Sequence, residues 1–131
     1  MKKFKIIYLI VIILNLILVF TKGFPANMII YSYIDTNEME ELGLDTKDFE
    51  GICETLRETR GVGVAFFMYR QPDGRIKGSF RGATDVDLSK VAGRLNGGGH
   101  KKAAGFSLDN IPMEEAKDIV LKELIKGFED R

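Results

Sequence analysis

The 131-residue chain holds one cysteine, Cys53, and one histidine, His100. A lone cysteine excludes an internal disulfide and a thiolate metal cluster. Its ordinary place is a small apolar slot in a core, and a reducing compartment is compatible with that use. A lone histidine leaves no Ser/His/Asp or Cys/His set, because His100 would have to fill every role. Acidic residues are missing from the first 27 positions, which carry Lys2, Lys3, Lys5 and Lys22. Without those four lysines the chain has 15 basic against 19 acidic residues, a net charge near −4. A surface that grips duplex nucleic acid without regard to sequence needs the opposite sign. Any nucleic-acid contact is therefore expected to be local, through a small pocket and a short ligand.

The length suits one domain, and 45% hydrophobic with 29% charged residues is a globular composition. No internal repeat is visible. One long apolar run stands out, Ile6 to Phe20, broken only by Asn15, preceded by lysines and followed by Thr21-Lys22-Gly23-Phe24-Pro25. As a helix, these 15 residues rise about 22 Å against a hydrocarbon core of about 30 Å. Three readings stand side by side: an anchor lengthened by snorkelling Lys5 and Lys22, a signal peptide with a poor cleavage site, or a core-packing helix or remnant of an upstream segment with Met28 as a natural domain start. The chain divides into residues 1–27, an apolar N-terminal segment, and residues 28–131, the functional domain. An anchor through residues 6–20 would put the domain outside the cell, which sits badly with a nucleotide-handling site, so the expectation is cytoplasmic, with membrane anchoring as the alternative.

Beyond that segment, Met28 to Ile34 is β-rich, and Asp35-Thr36-Asn37-Glu38 supplies the cap of a short helix to Leu42. From Thr46, the residues Phe49, Ile52, Cys53 and Leu56 recur at i, i+3, i+4 and i+7, which predicts one helix ending near Gly61, with Lys47, Glu54 and Arg57 on a solvated face. Val62 to Arg70 and Arg75 to Arg81, joined by Gln71-Pro72-Asp73-Gly74, form a β-hairpin. Asp87 opens a helix carrying Leu88, Val91, Ala92 and Leu95. Ala103 to Leu108 is small and apolar enough for a buried strand, and Met113, Ala116, Val120, Leu124 and Phe128 form the packing stripe of a last helix. The fold class is α/β: a mixed sheet flanked by helices, with an apolar N-terminal helix.

Chemistry concentrates in Gly97-Gly98-Gly99-His100-Lys101-Lys102-Ala103-Ala104-Gly105-Phe106. Three glycines free the backbone for φ > 0 and for close approach to a ligand, and their N–H groups can converge on an anion. His100 can donate to a phosphate oxygen, and Lys101 and Lys102 raise the local potential. Arg81, on the face opposite Phe80 at a strand end, offers a fork suited to phosphate. Asp85 and Asp87 stand at a helix start and are read as a cap rather than as metal ligands.

Ser79-Phe80-Arg81, then Asp85 to Leu95, then the Gly97-to-Phe106 run resemble the DHHA1 domain, the C-terminal substrate-binding half of DHH-family phosphoesterases, nearest to the oligoribonuclease and bisphosphate nucleotidase subgroup. The resemblance spans roughly Ile29 to Ile125. It implies a mixed sheet that closes over a cleft shared with a catalytic domain, and a nucleic-acid or nucleotide ligand whose phosphate is held by Arg81, Gly97, Gly98, Gly99 and His100, with Lys101 and Ala104 secondary. Catalysis in the family uses manganese held by aspartates and an Asp-His-His motif. One histidine leaves no room for that motif here, so Mn²⁺ is expected only in a partner catalytic domain. The expectation is a substrate-binding half without its own catalysis. Its alternatives are a half-enzyme active in trans with a separate catalytic chain, or a membrane-tethered interaction module in which the glycine run is only a loop.

Overall fold

A computed structural model describes the backbone of Ile17–Phe20 and all of residues 28–131. Six strands form one mixed sheet in the order β1-β2-β3-β4-β6-β5. They are β1 (Ile17–Phe20), β2 (Met28–Ile34), β3 (Val62–Arg70), β4 (Ile76–Gly82), β5 (Gly98–His100) and β6 (Ala103–Leu108), with helices α1 (Thr36–Leu42), α2 (Ile52–Arg57), α3 (Leu88–Gly93) and α4 (Met113–Asp130). Only β2 and β3 run parallel, and the crossover that joins them carries α1 and α2. Every other pairing is antiparallel.

The helices cover the sheet unequally. On one face, Leu88, Val91 and Ala92 of α3 and Met113, Ala116, Val120, Leu124 and Phe128 of α4 pack on Ile29, Val64, Phe66, Phe80 and Phe106. Phe66 stacks on Tyr31 at 4.9 Å between ring centroids and meets Phe80 edge-on at 6.0 Å. On the other face, Phe49, Ile52, Cys53 and Leu56 cover Ile30, Ile34, Ala65 and Phe67, which belong to β2 and β3. Among the described residues, α2 reaches β4 at Ser79 and Arg81, through Cys53 and Glu54, and the same face of β6, β5 and the Lys77 end of β4 lacks a helical cover.

Cys53 is the core residue its isolation implied. Its Sγ lies 3.4 Å from the carbonyl oxygens of Ala65 and Ser79, and burial pushes the thiol up to about 12. In the folded protein the thiol is therefore expected to resist alkylation at pH 8 and to react only after denaturant is added. Mass spectrometry after iodoacetamide treatment checks this, and fast native labelling would contradict the packing.

Three sequence expectations are corrected. Residues Ile17–Phe20 form an edge strand, Ile17 opposite Tyr31 and Phe20 opposite Met28, and not part of a helix; the rest of the expected N-terminal helix lies outside the described residues. The single helix expected from Thr46 to Gly61 is a 3₁₀ turn at Thr46–Phe49 followed by α2, because Gly51 at φ 85 breaks the run while the apolar stripe continues on both sides. Gly98 and Gly99 of the glycine run, with His100, form a short strand paired with β6 rather than a loop, and Gly97 precedes that strand. No described helix is long and apolar enough to cross a membrane.

Candidate functional site

The register of the sheet decides which side chains share the uncovered face. Arg81 lies opposite Ala103, and Ala103 lies opposite His100, so all three point to the same side in one row across β4, β6 and β5. Two strand spacings separate Arg81 from His100, about 10 Å, and the small Ala103 between them leaves a depression. The next row holds Ser79, Gly105 and Gly98. Phe80 and Ala104 face the opposite core. Ala104, expected as a secondary ligand residue, is 5% exposed and serves packing.

The three glycines do three different things. A Cβ at Gly97 would lie 1.9 Å from the carbonyl oxygen of Gly105, so this glycine permits close passage of the chain over β6. Gly99 has φ 146, and a Cβ there would come within 2.7 Å of the Ala103 oxygen and the Ala104 Cα. Gly98 has open space around it: nothing lies within 4 Å of its would-be Cβ. Internal packing explains two of the glycines and leaves the third on the open face beside His100.

His100 is exposed and, among the described residues, its ring has no hydrogen-bond partner. The turn after it is held by backbone rather than side chains. Leu88 N donates to the Lys101 oxygen and Gly82 N to the Lys102 oxygen, both at 2.9 Å. That fixes the hairpin to α3 and β4 and leaves both lysine side chains exposed. Asp87 caps α3 by accepting from Ser89 N at 3.1 Å, as its position in the sequence implied. The Ser89 hydroxyl holds its carboxyl below the usual range, with burial opposing and Lys101 adding to the effect.

Sequence reasoning missed one member of this face. Glu54, assigned to the solvated side of a helix, accepts from Arg81 Nε at 2.7 Å. Arg81 Nη1 donates to the Phe80 oxygen at 2.8 Å. Burial pushes the Glu54 carboxyl up, yet its helix-backbone hydrogen bond and the arginine together hold it below the usual carboxylate range. Arg81 thus arrives at the face already oriented, with part of its fork uncommitted. The only sequence signal for the pair was complementary charge, 27 residues apart.

A pocket of about 80 Å³ lies elsewhere, between α3 and the end of α4, lined by Asp85, Asp87, Lys90, Arg94 and Asp130 among others. It shares no residue with the Arg81–His100 face. Among the described residues no three His, Cys, Asp or Glu side chains gather as a metal-binding group.

The profile of the DHHA1 domain matches residues 27–130, and the chain belongs to that family. It is 33% identical over 78 residues to the "Bifunctional oligoribonuclease and PAP phosphatase NrnA" of Thermus thermophilus, a match covering 60% of this chain and 23% of that protein. The matched stretch is thus about a quarter of the relative's length. Among solved structures, an exopolyphosphatase-related protein from Bacteroides fragilis superposes with a TM-score of 0.78 at 22% identity, over 95% of this chain and 35% of that one. The C-Ala domain of the Aquifex aeolicus alanyl-tRNA synthetase superposes at 0.57 and 16% identity, over 83% of this chain and 96% of that one. Both show the fold.

Proposed function

We propose that Gly98, His100 and Arg81 hold the phosphate of a short oligonucleotide or phosphorylated nucleotide on the open face of the sheet. In this reading the chain is the substrate-binding half of a DHH-type phosphoesterase. The observation that carries it is Gly98, whose missing side chain no internal contact requires, next to an exposed and unengaged histidine. A phosphate seated over Gly98 would approach the β5 backbone, receive a hydrogen bond from His100 and lie within reach of the free part of the Arg81 fork. The family membership and the oligoribonuclease relative support the ligand class.

Hydrolysis in this reading belongs to a metal-holding DHH domain, present in cis or supplied in trans. This chain contributes orientation, because bringing a scissile phosphate to a fixed place is itself a large part of such a barrier. The test is calorimetric titration with a 5′-phosphorylated dinucleotide. His100→Ala is expected to weaken binding by about 1–3 kcal/mol, the cost of losing a hydrogen bond to a charged group. Gly98→Ala should weaken it comparably without lowering the melting temperature, since its methyl group meets only open space. Unchanged affinity in both variants would sink the assignment.

A further inference from the structure

Beyond the Arg81–His100 site, we infer that the open face of β4 carries a second anion subsite formed by Lys77 and Arg75, so that the sheet holds the successive phosphates of a linear oligonucleotide. The inference rests on the phosphate site proposed above and adds its direction and extent. Residues 75, 77, 79 and 81 share one face, because Ile76, Gly78 and Phe80 between them are buried in the opposite core. That face therefore reads Arg75, Lys77, Ser79, Arg81, three cations and a hydroxyl. Strand geometry repeats about every 7 Å for side chains on one side, which puts Lys77 about 14 Å from Arg81. Phosphates along an extended single strand repeat on the same scale.

The neighbouring strand keeps this track open. Opposite it, β6 presents Ala103, Gly105 and Ser107, all small. Lys77 is exposed and has no ion-pair partner among the described residues. Arg75 Nη2 donates to Ser107 Oγ at 2.8 Å, which lays its guanidinium across β6 and leaves its other donors available. Two acids touch the track: Glu54, already engaged with Arg81, and Asp73, whose carboxylate accepts from Arg75 N at 2.9 Å. Charge is sorted along the chain to match. Residues 35–58, the segment of α1 and α2, carry nine acidic and two basic residues, whereas residues 59–112 carry nine basic and four acidic. Of those bases, Arg75, Lys77 and Arg81 lie on the track and Lys101 and Lys102 on the adjoining hairpin, so a polyanion meets opposite charge there and like charge along the α1–α2 segment.

The experiment titrates the full chain with a 5′-phosphorylated oligoadenylate ladder of one to five nucleotides, comparing wild type, Arg75→Gln/Lys77→Gln and His100→Ala. Wild type is expected to bind the trinucleotide about tenfold tighter than the mononucleotide. The double variant should bring the trinucleotide to within about twofold of the mononucleotide and flatten its log–log salt slope by about 1.4, two phosphate contacts at about 0.7 each. Mononucleotide affinity should fall by less than about twofold, since the substituted cations lie more than a Debye length from Arg81. A ladder that survives the double substitution overturns the subsite, as does a loss that is equal at every length. Failure of the underlying phosphate site looks different: His100→Ala would then change no rung, whereas a sound site with no second subsite shows every rung weakened by His100→Ala and none by the double variant.

Discussion

Replacing Arg70 by Met is expected to destabilise the domain by about 2–3 kcal/mol, somewhat less than stripping one partner from a fully buried ion pair because the Asp35 side chain is 35% exposed, and to lower its melting temperature by roughly 10–20 °C. The Arg70 side chain is 13% exposed and ties together three separate parts of the chain. Its Nε and Nη2 donate to the Asp35 carboxylate at 2.7 and 3.3 Å, its Nη1 to the Gly74 oxygen at 2.8 Å and Asn110 Oδ1 at 3.0 Å, and its Nη2 also to the Ile111 oxygen at 2.8 Å. One guanidinium thus joins the cap of α1, the β3–β4 turn and the loop that enters α4. Methionine fills comparable volume and returns none of these bonds, leaving carbonyls that had no need of water without a donor. Arg70→Lys should recover little, since a single ammonium cannot reproduce the fork. Chemical denaturation of the three proteins measures this, and a loss below about 1 kcal/mol in the Met variant would refute the staple.

The same pair fixes a pH dependence. The Arg70 guanidinium, with the Thr36 backbone assisting and burial opposing, holds the Asp35 carboxyl below its usual value. A carboxyl depressed in the folded state contributes stability that is fully present above its unfolded pKa, near 3.9, and lost as pH falls through the lower folded value. Stability of the wild type should therefore fall more steeply below about pH 4 than that of Arg70→Met, in which this contribution is already gone.

How much of this could be read in advance depends on whether the signal was local. The stripe of Met113, Ala116, Val120, Leu124 and Phe128 lies within one helix, and all five are buried in the core it predicted. The family, the glycine run and the outward face of Arg81 were legible for the same reason: each is a short contiguous pattern. Strand β6 was half legible, because Ala103, Gly105 and Ser107 are too small to look polar and the strand read as buried throughout. Strand β5 was hidden by glycine, which carries no side chain to alternate and little intrinsic preference for a strand. The Glu54–Arg81 and Arg70–Asp35 pairs join residues 27 and 35 positions apart, and helical periodicity on its own assigns such charges to solvent. What escaped the sequence is the set of contacts between elements, and those contacts orient the arginine of the proposed site.

Gly97→Ala carries the second large effect, and its comparison with Gly98→Ala separates architecture from binding. The chain leaves α3 through Leu95 and Asn96, and Asn96 itself sits at φ 57. There Ser107 N donates to the Leu95 oxygen at 3.0 Å and Gly97 N to the Ala92 oxygen at 2.9 Å. These bonds press Gly97 onto β6, where an added methyl would lie 1.9 Å from the Gly105 oxygen and 2.7 Å from the Phe106 Cα. Backbone atoms cannot rotate out of the way as a side chain can. The strand must therefore lift, breaking the bonds to Leu95 and Ala92, and with it goes the base of the β5–β6 hairpin. The expected cost is about 3 kcal/mol, the upper part of the range for overpacking a close contact, together with loss of dinucleotide binding. Gly98→Ala, one residue further on, should leave the denaturation midpoint unchanged and affect binding alone. Amide exchange of Gly98 to Ala104 provides the readout: fast exchange in Gly97→Ala and native protection in Gly98→Ala are the expected pair. Native protection and midpoint in Gly97→Ala would mean that the hairpin does not sit as close to β6 as described, and the phosphate site built on it would fall with that contact.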